Sequence, residues 1–90
     1  MDFEWDSAKA AANFKKHGVS FEEAVSALKD DLAATARDLE HLATEFRFIT
    51  FGISAYGRLL AISHTDRENS IRIISARLAT RTERKIYEES

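Results

Sequence analysis

The sequence predicts an α+β fold: an antiparallel sheet of about four strands packed against two N-terminal helices and a C-terminal helix. Three observations lead there. Residues 6–28 read as two capped helices in direct succession. Residues 45–76 hold three strand-like runs joined by short turns, and Thr80 with Glu83 opens a last helix after the final run. Ninety residues make a single domain, 1–90, with a small core.

The elements follow in order. Residues 2–5, "DFEW", alternate polar and aromatic and read as a short edge strand. Asp6 is placed to cap a helix over residues 7–17, with Gly18 as its stop and Lys15, Lys16 and His17 at its negative end. Ser20 and Glu23 form a capping box in which Glu23 reaches back to the cap. Phe21, Ala24, Val25 and Leu28 then lie at i, i+3, i+4 and i+7, one apolar stripe of a second helix. Residues 29–44 carry weaker signals, for a short strand near 32–35 and a helical turn near 38–41.

In residues 45–53, "EFRFITFGI", Phe46, Phe48 and Thr50 share one strand face, and Arg47, Ile49 and Phe51 share the other. "SAYG" turns the chain into residues 58–65, and "DRENS" turns it again into residues 71–76. Short turns between consecutive strands imply an antiparallel meander. Proline is absent, so turns fall to Gly18, Gly52, Gly57 and polar clusters. The capping box at Thr80 starts a helix over about residues 81–88.

Composition narrows the function. With no cysteine there is no disulfide framework and no thiolate zinc site. The acidic N-terminus lacks the pattern of a signal peptide, and no apolar run is long enough to cross a bilayer, so a soluble cytoplasmic protein is expected, with no membrane partner. A net charge of −2 argues against a general polyanion binder, and any anion site must be local. Such a site is suggested by "IRIISARLATRTERKIY" (71–87), which holds five basic residues and one acid.

Within it, Arg72 and Arg77 are an odd number of residues apart, so on an ideal strand they point to opposite faces. They converge only if the strand ends or bulges before Arg77. An arginine fork suits a phosphate, since it offers several planar donors and never loses its charge. Arg84 and Lys85 follow on the last helix, where plain solvation is the alternative. Arg47 is the lone charge between aromatics, with Glu45 or Asp38 as possible ion partners. Lys16 and His17 could act as clamp and general acid, or merely decorate a helix end. Asp38, His41 and Glu45 share a face if their segment is helical, as a base with an orienting acid or as a weak metal pair. No fourth ligand and no zinc spacing accompany them, so no metal site is expected. His64 reads as a half-buried strand residue. Trp5, Tyr56 and Tyr87 could stack bases, Tyr87 best of the three because it follows Arg84. Glycine-rich phosphate loops, nucleophile elbows and cofactor motifs are absent. These residues alone do not name an activity.

"FEWDSAKAAANFKKHGVSFEEA" (3–24), "DLEHLATEFRFITFGIS" (38–54) and "IRIISARLATRTERKIY" (71–87) resemble the BrnT toxins, small ribonucleases of type II toxin–antitoxin systems with a RelE-like fold. The chain departs from the family's pattern at "ALKDDLAA" (27–34), where a phenylalanine and often a proline are expected. The resemblance implies metal-independent RNA cleavage without a cofactor, by attack of the ribose 2′-hydroxyl on the adjacent phosphate. It implies Arg47 and Arg77 on the phosphate, Lys16 and His17 assisting, and Glu45 or His41 as base. Arg72, Arg84 and Tyr87 would contact the RNA. The implied partner is a BrnA-like ribbon-helix-helix antitoxin, which covers the site and alone brings operator DNA. A non-enzymatic module, forming a DNA-binding repressor complex with that antitoxin, is the alternative reading.

Overall fold

The computed structural model describes residues 1–38 and 46–90. The elements are β1 (Asp2–Glu4), α1 (Ser7–His17), α2 (Phe21–Leu28), β2 (Ala34–Arg37), β3 (Phe48–Ile53), β4 (Leu59–Arg67), β5 (Ser70–Leu78) and α3 (Arg81–Glu89). Their caps are those of the sequence. Asp6 Oδ1 accepts from the backbone N–H groups of Ala8 and Lys9, and Gly18 ends α1 at φ 69°, the left-handed conformation that glycine adopts without strain. Thr80 and Glu83 close a complete capping box at α3.

The five strands form one sheet in the order β1-β5-β4-β3-β2. This corrects the expectation of about four antiparallel strands. The meander β2-β3-β4-β5 is antiparallel, but β1 adds a fifth strand that pairs with β5 in parallel, Asp2 against Ser70 and Glu4 against Arg72. The reason is topological, because β1 and β5 are joined through the whole domain and nothing like a hairpin turn dictates their direction. The β2 strand lies two residues later than expected, and the β4–β5 turn shrinks to Glu68–Asn69, so both strands run longer. The expected helical turn near 38–41 falls almost wholly outside the described residues.

One face of the sheet carries the main core. Leu60 and Ile62 of β4 and Ile73 and Ala76 of β5 are buried against Val19, Phe21, Ala24 and Ala27 of the α1–α2 unit. The α2 stripe packs as its spacing dictates, and Trp5 meets Phe21 edge-on with ring centroids 5.8 Å apart. The β3 strand approaches α2 so closely that a Cβ at Gly52 would lie 2.3 Å from the carbonyl oxygen of Ala27, which excludes any side chain there. The opposite face buries Phe51, Leu59 and Ala61 and carries Arg77, the register partner of Ala61.

Asn13 joins α1 to this sheet. The β1 strand covers β5 only as far as Arg72, which leaves the β5 edge bare at Ala76. The Asn13 side chain closes it as a strand would: Nδ2 donates to Ala76 O at 2.8 Å, and Oδ1 accepts from Ala76 N at 3.1 Å. Nδ2 also donates to Val19 O at 2.9 Å in the turn to α2. Replacing Asn13 by alanine strands three buried backbone groups, each of which costs about 1–3 kcal/mol when unpaired. Asn13→Ala is therefore expected to lose roughly 3 kcal/mol of stability in urea unfolding. Asn13→Asp, similar in shape but unable to donate, should lose a comparable amount.

Candidate functional site

A bulge in β5 shapes the site. Ser63 pairs with Ser75 but His64 pairs with Ile73, so β5 spends one extra residue, Ile74, against β4. That residue changes the parity of the strand. Arg72 is in register with Thr65 and Arg77 with Ala61, and positions 61 and 65 share one face of β4. The two arginines thus lie on the same side of the sheet, opposite the main core, with the Ser63–Ser75 pair in the row between them. Arg77 sits within β5 rather than past its end.

Beside the bulge runs an open cleft of about 220 Å³ between α1 and β5. Lys9, Lys16 and His17, spaced along one side of α1, line it with Ile74 and Ser75. Lys16 is exposed and His17 half-buried. The cleft thus combines three basic side chains with the hydroxyl of Ser75, a composition suited to an anion. Lys9 was not singled out from the sequence, although its i, i+7 spacing to Lys16 placed both on one helical face.

Other expected site residues have structural partners. Arg77 makes a two-pronged ion pair with Glu83, Nη1 to Oε1 at 2.7 Å and Nη2 to Oε2 at 2.9 Å. Glu83 Oε1 also accepts from Thr80 N at 2.9 Å, so the capping carboxylate holds the start of α3 and the end of β5 together. The Arg77 hydrogen bonds and the backbone N–H of Thr80 bring the Glu83 carboxyl down to about 2, against the opposing effect of burial. Tyr87 donates to Asp30 Oδ2 at 2.6 Å, and that carboxylate oxygen also accepts from Ile53 N at 2.8 Å. The Ile53 N–H and the Tyr87 hydroxyl hold Asp30 below its ordinary carboxylate range, and Asp30 pushes Tyr87 up. Both ends of α3 are therefore fastened to the sheet. Arg84 projects from α3 into solvent. Arg47 is half-buried, and its Nε has no hydrogen-bond partner among the described residues. His41 and Glu45 lie outside the described residues.

Two residues differ from their expected roles. Glu23 does not reach back to its helix cap. Ser20 Oγ accepts from Glu23 N at 3.0 Å, but the Glu23 carboxylate turns inward to Arg58 Nε at 2.9 Å and Ser54 Oγ at 2.8 Å. A buried carboxylate needs a charged partner, and Arg58 supplies one that a capping N–H cannot. His64 is buried rather than half-buried, at 2% exposure. Its Nε2 lies 2.7 Å from Thr50 Oγ1 and its Nδ1 2.8 Å from Asp66 Oδ1, and Thr50 Oγ1 continues to Thr35 Oγ1 at 2.7 Å. This chain ties β2, β3 and β4 together on the core side. The odd–even alternation of β4 could have flagged it, since it puts His64 in line with Leu60 and Ile62.

The chain matches one protein-family description, "Ribonuclease toxin, BrnT, of type II toxin-antitoxin system", over residues 5–83. It is similar in fold to the 1.1 Å crystal structure of the ribonuclease toxin BrnT of Brucella abortus. That match has 22% sequence identity and a TM-score of 0.65, and it covers 90% of this chain and 99% of the other. No curated protein sequence matches.

The Arg77–Glu83 pair sets a pH dependence. The folded Glu83 value of about 2 lies below its ordinary 4.5, so the pair contributes fully above about pH 4.5 and its contribution fades as the pH falls toward 2. Glu83→Gln should therefore be clearly less stable than the wild type in urea at pH 7, with the gap narrowing by pH 3.

Proposed function

The chain belongs to the BrnT family of ribonuclease toxins of type II toxin–antitoxin systems, and from that membership we propose that it cleaves RNA by a metal-independent transesterification. A ribose 2′-hydroxyl attacks the adjacent phosphate, cations take up the negative charge that develops on the phosphate oxygens, and an acid protonates the leaving 5′-oxygen. Arg47, Arg72 and Arg77 hold phosphate from the sheet face. Lys16 clamps from the cleft and His17 supplies the proton. His41 or Glu45 takes the proton from the 2′-hydroxyl, and Arg84 and Tyr87 flank the RNA.

The bulge at Ile74 carries this reading. The residue that turns Arg72 and Arg77 to one face also lines the cleft that holds Lys16 and His17. Cations from two elements are thereby gathered around one stretch of β5, in a chain whose net charge is −2. Arg77 has a double duty here. It keeps α3 in place through Glu83 while its remaining N–H donors turn to the phosphate.

In this reading the RelE-like arrangement works in the cytoplasm, where the RNA is. An antitoxin of the ribbon-helix-helix type covers the cationic face, and operator DNA is bound only through that antitoxin. The acidic balance of the chain suits this division, since a DNA-binding domain is usually basic.

Cleavage of RNA by the purified protein, with and without EDTA, tests the chemistry. The wild type should cleave equally in both, and its expression should arrest growth unless the antitoxin is co-expressed. His17→Ala should reduce cleavage about 100-fold or more, the usual contribution of a general acid. Its circular dichroism should be unchanged, because Asp6 and Gly18 still cap α1. Cleavage abolished by EDTA would overturn the metal-free mechanism, and full activity in His17→Ala would remove the cleft from the site.

A further inference from the structure

Two buried polar atoms have no use in the fold. Arg47 Nε and Thr65 Oγ1 are shut off from solvent, and neither has a hydrogen-bond partner; among the described residues they are the only side-chain atoms of this kind. Thr65 is 2% exposed. Buried donors are paired in the great majority of cases, and a guanidinium cannot escape by losing its proton. Two such atoms in a ninety-residue domain therefore call for a reason.

They belong to one row of the sheet. Phe48 pairs with His64, so one further step of the antiparallel ladder sets Arg47 opposite Thr65. The strand line continues that far, because Asp38 N donates to Arg47 O at 2.7 Å. On its other side Thr65 is in register with Arg72. The register thus sets Thr65 beside Arg72 and, by extension one step past the last β3–β4 pair, beside Arg47, which lies just before β3. Adjacent strands are about 4.8 Å apart, so the two arginine backbones flank Thr65 within roughly 10 Å of each other. The row is on the Arg77 side of the sheet. On the core side the neighbouring His64 has both ring nitrogens partnered, so the lack is confined to the cationic face.

We propose that Thr65 is a substrate-contacting residue: its hydroxyl and the Arg47 Nε–H together hold one non-bridging oxygen of an RNA phosphodiester, with the Arg72 guanidinium on the other side. The inference rests on the ribonuclease reading and adds to it a residue outside the cationic set. Both donors have already lost their water on folding. A phosphate oxygen thus gives them a partner they lack, instead of replacing one they have. Because both atoms are covered in the free chain, binding opens the row, and the two new hydrogen bonds offset the cost of opening.

Thr65→Val keeps the shape of the side chain and removes the hydroxyl. Its thermal unfolding temperature should equal or exceed that of the wild type, since an unpaired buried group is lost. Its kcat/KM for RNA should fall about 100-fold, the usual loss for one donor to a developing anion. Thr65→Ser, which restores the hydroxyl, should recover most of the activity. Wild-type cleavage by Thr65→Val would overturn the proposal. So would a drop of several degrees in unfolding temperature that Thr65→Ser repairs, because the hydroxyl would then be satisfied in the free protein. A wild type that cleaves no RNA would instead defeat the ribonuclease reading itself, and with it any substrate contact by Thr65.

Discussion

Without Ile74, β5 would pair with β4 in a single register, and Arg72 and Arg77 would point to opposite sides of the sheet. The extra residue is held in place from both flanks. On the β4 side the ladder resumes at Ser63–Ser75 and Ile62–Ala76, and on the open side the Asn13 amide takes both backbone groups of Ala76. A bulge so close to a bare sheet edge would otherwise be free to slip by one residue. Slippage would exchange the apolar and cationic sides of the strand. The amide of one buried asparagine thus fixes the register on which the position of two arginines depends.

The two sides of the sheet have different ways of accommodating charge. On the core side the buried polar side chains among the described residues are answered within the fold. Glu23 is neutralised by Arg58, which also donates to Gly18 O at 3.0 Å and so locks the α1–α2 turn to the β3–β4 hairpin. Arg58 is the main cause that holds Glu23 below its ordinary range, against the opposing effect of burial. His64 is answered by Thr50 and Asp66. On the far side the accounting stops halfway. Arg77 is neutralised by Glu83, but Arg47 retains an unpartnered Nε and Thr65 an unpartnered hydroxyl. Folding stability alone does not favour such an arrangement, since pairing or removing those groups would stabilise the domain.

Local features were legible in the sequence where local chemistry decides them. The caps at Asp6, Ser20 and Thr80, the left-handed stop at Gly18 and the stripe of α2 all depend on residues within two helical turns of one another. So did the condition for Arg72 and Arg77 to converge, because strand parity is a local rule; whether a bulge would meet it depended on β4. Long-range partners were not legible. Glu23 carries the spacing of a capping box, yet its carboxylate serves an arginine 35 residues away. Tyr87 follows Arg84 at the spacing expected of a base-stacking residue, yet its hydroxyl is bound to Asp30, 57 residues earlier. The parallel pairing of β1 has no hairpin to announce it. For the site, the sequence pointed to the cationic residues, and the register of the sheet decided which of them share a surface.

That difference bears on how the arginines should be weighed. An arginine with a carboxylate in a two-pronged grip, such as Arg58 or Arg77, is explained by the fold, and its loss would be felt in stability whether or not it also touches a substrate. Arg47 and Arg72 have no such explanation among the described residues. Both are half-buried, so each gives up part of its hydration with no ion pair to a described residue in return. A cation that no described carboxylate neutralises is the more available to an anion from outside. On the proposed ribonuclease reading, the arginines that contribute least to folding are therefore the ones best placed to bind phosphate. Arg77, the most conspicuous by sequence, shares its charge with Glu83, and on the same reading it is the weakest phosphate ligand of the three.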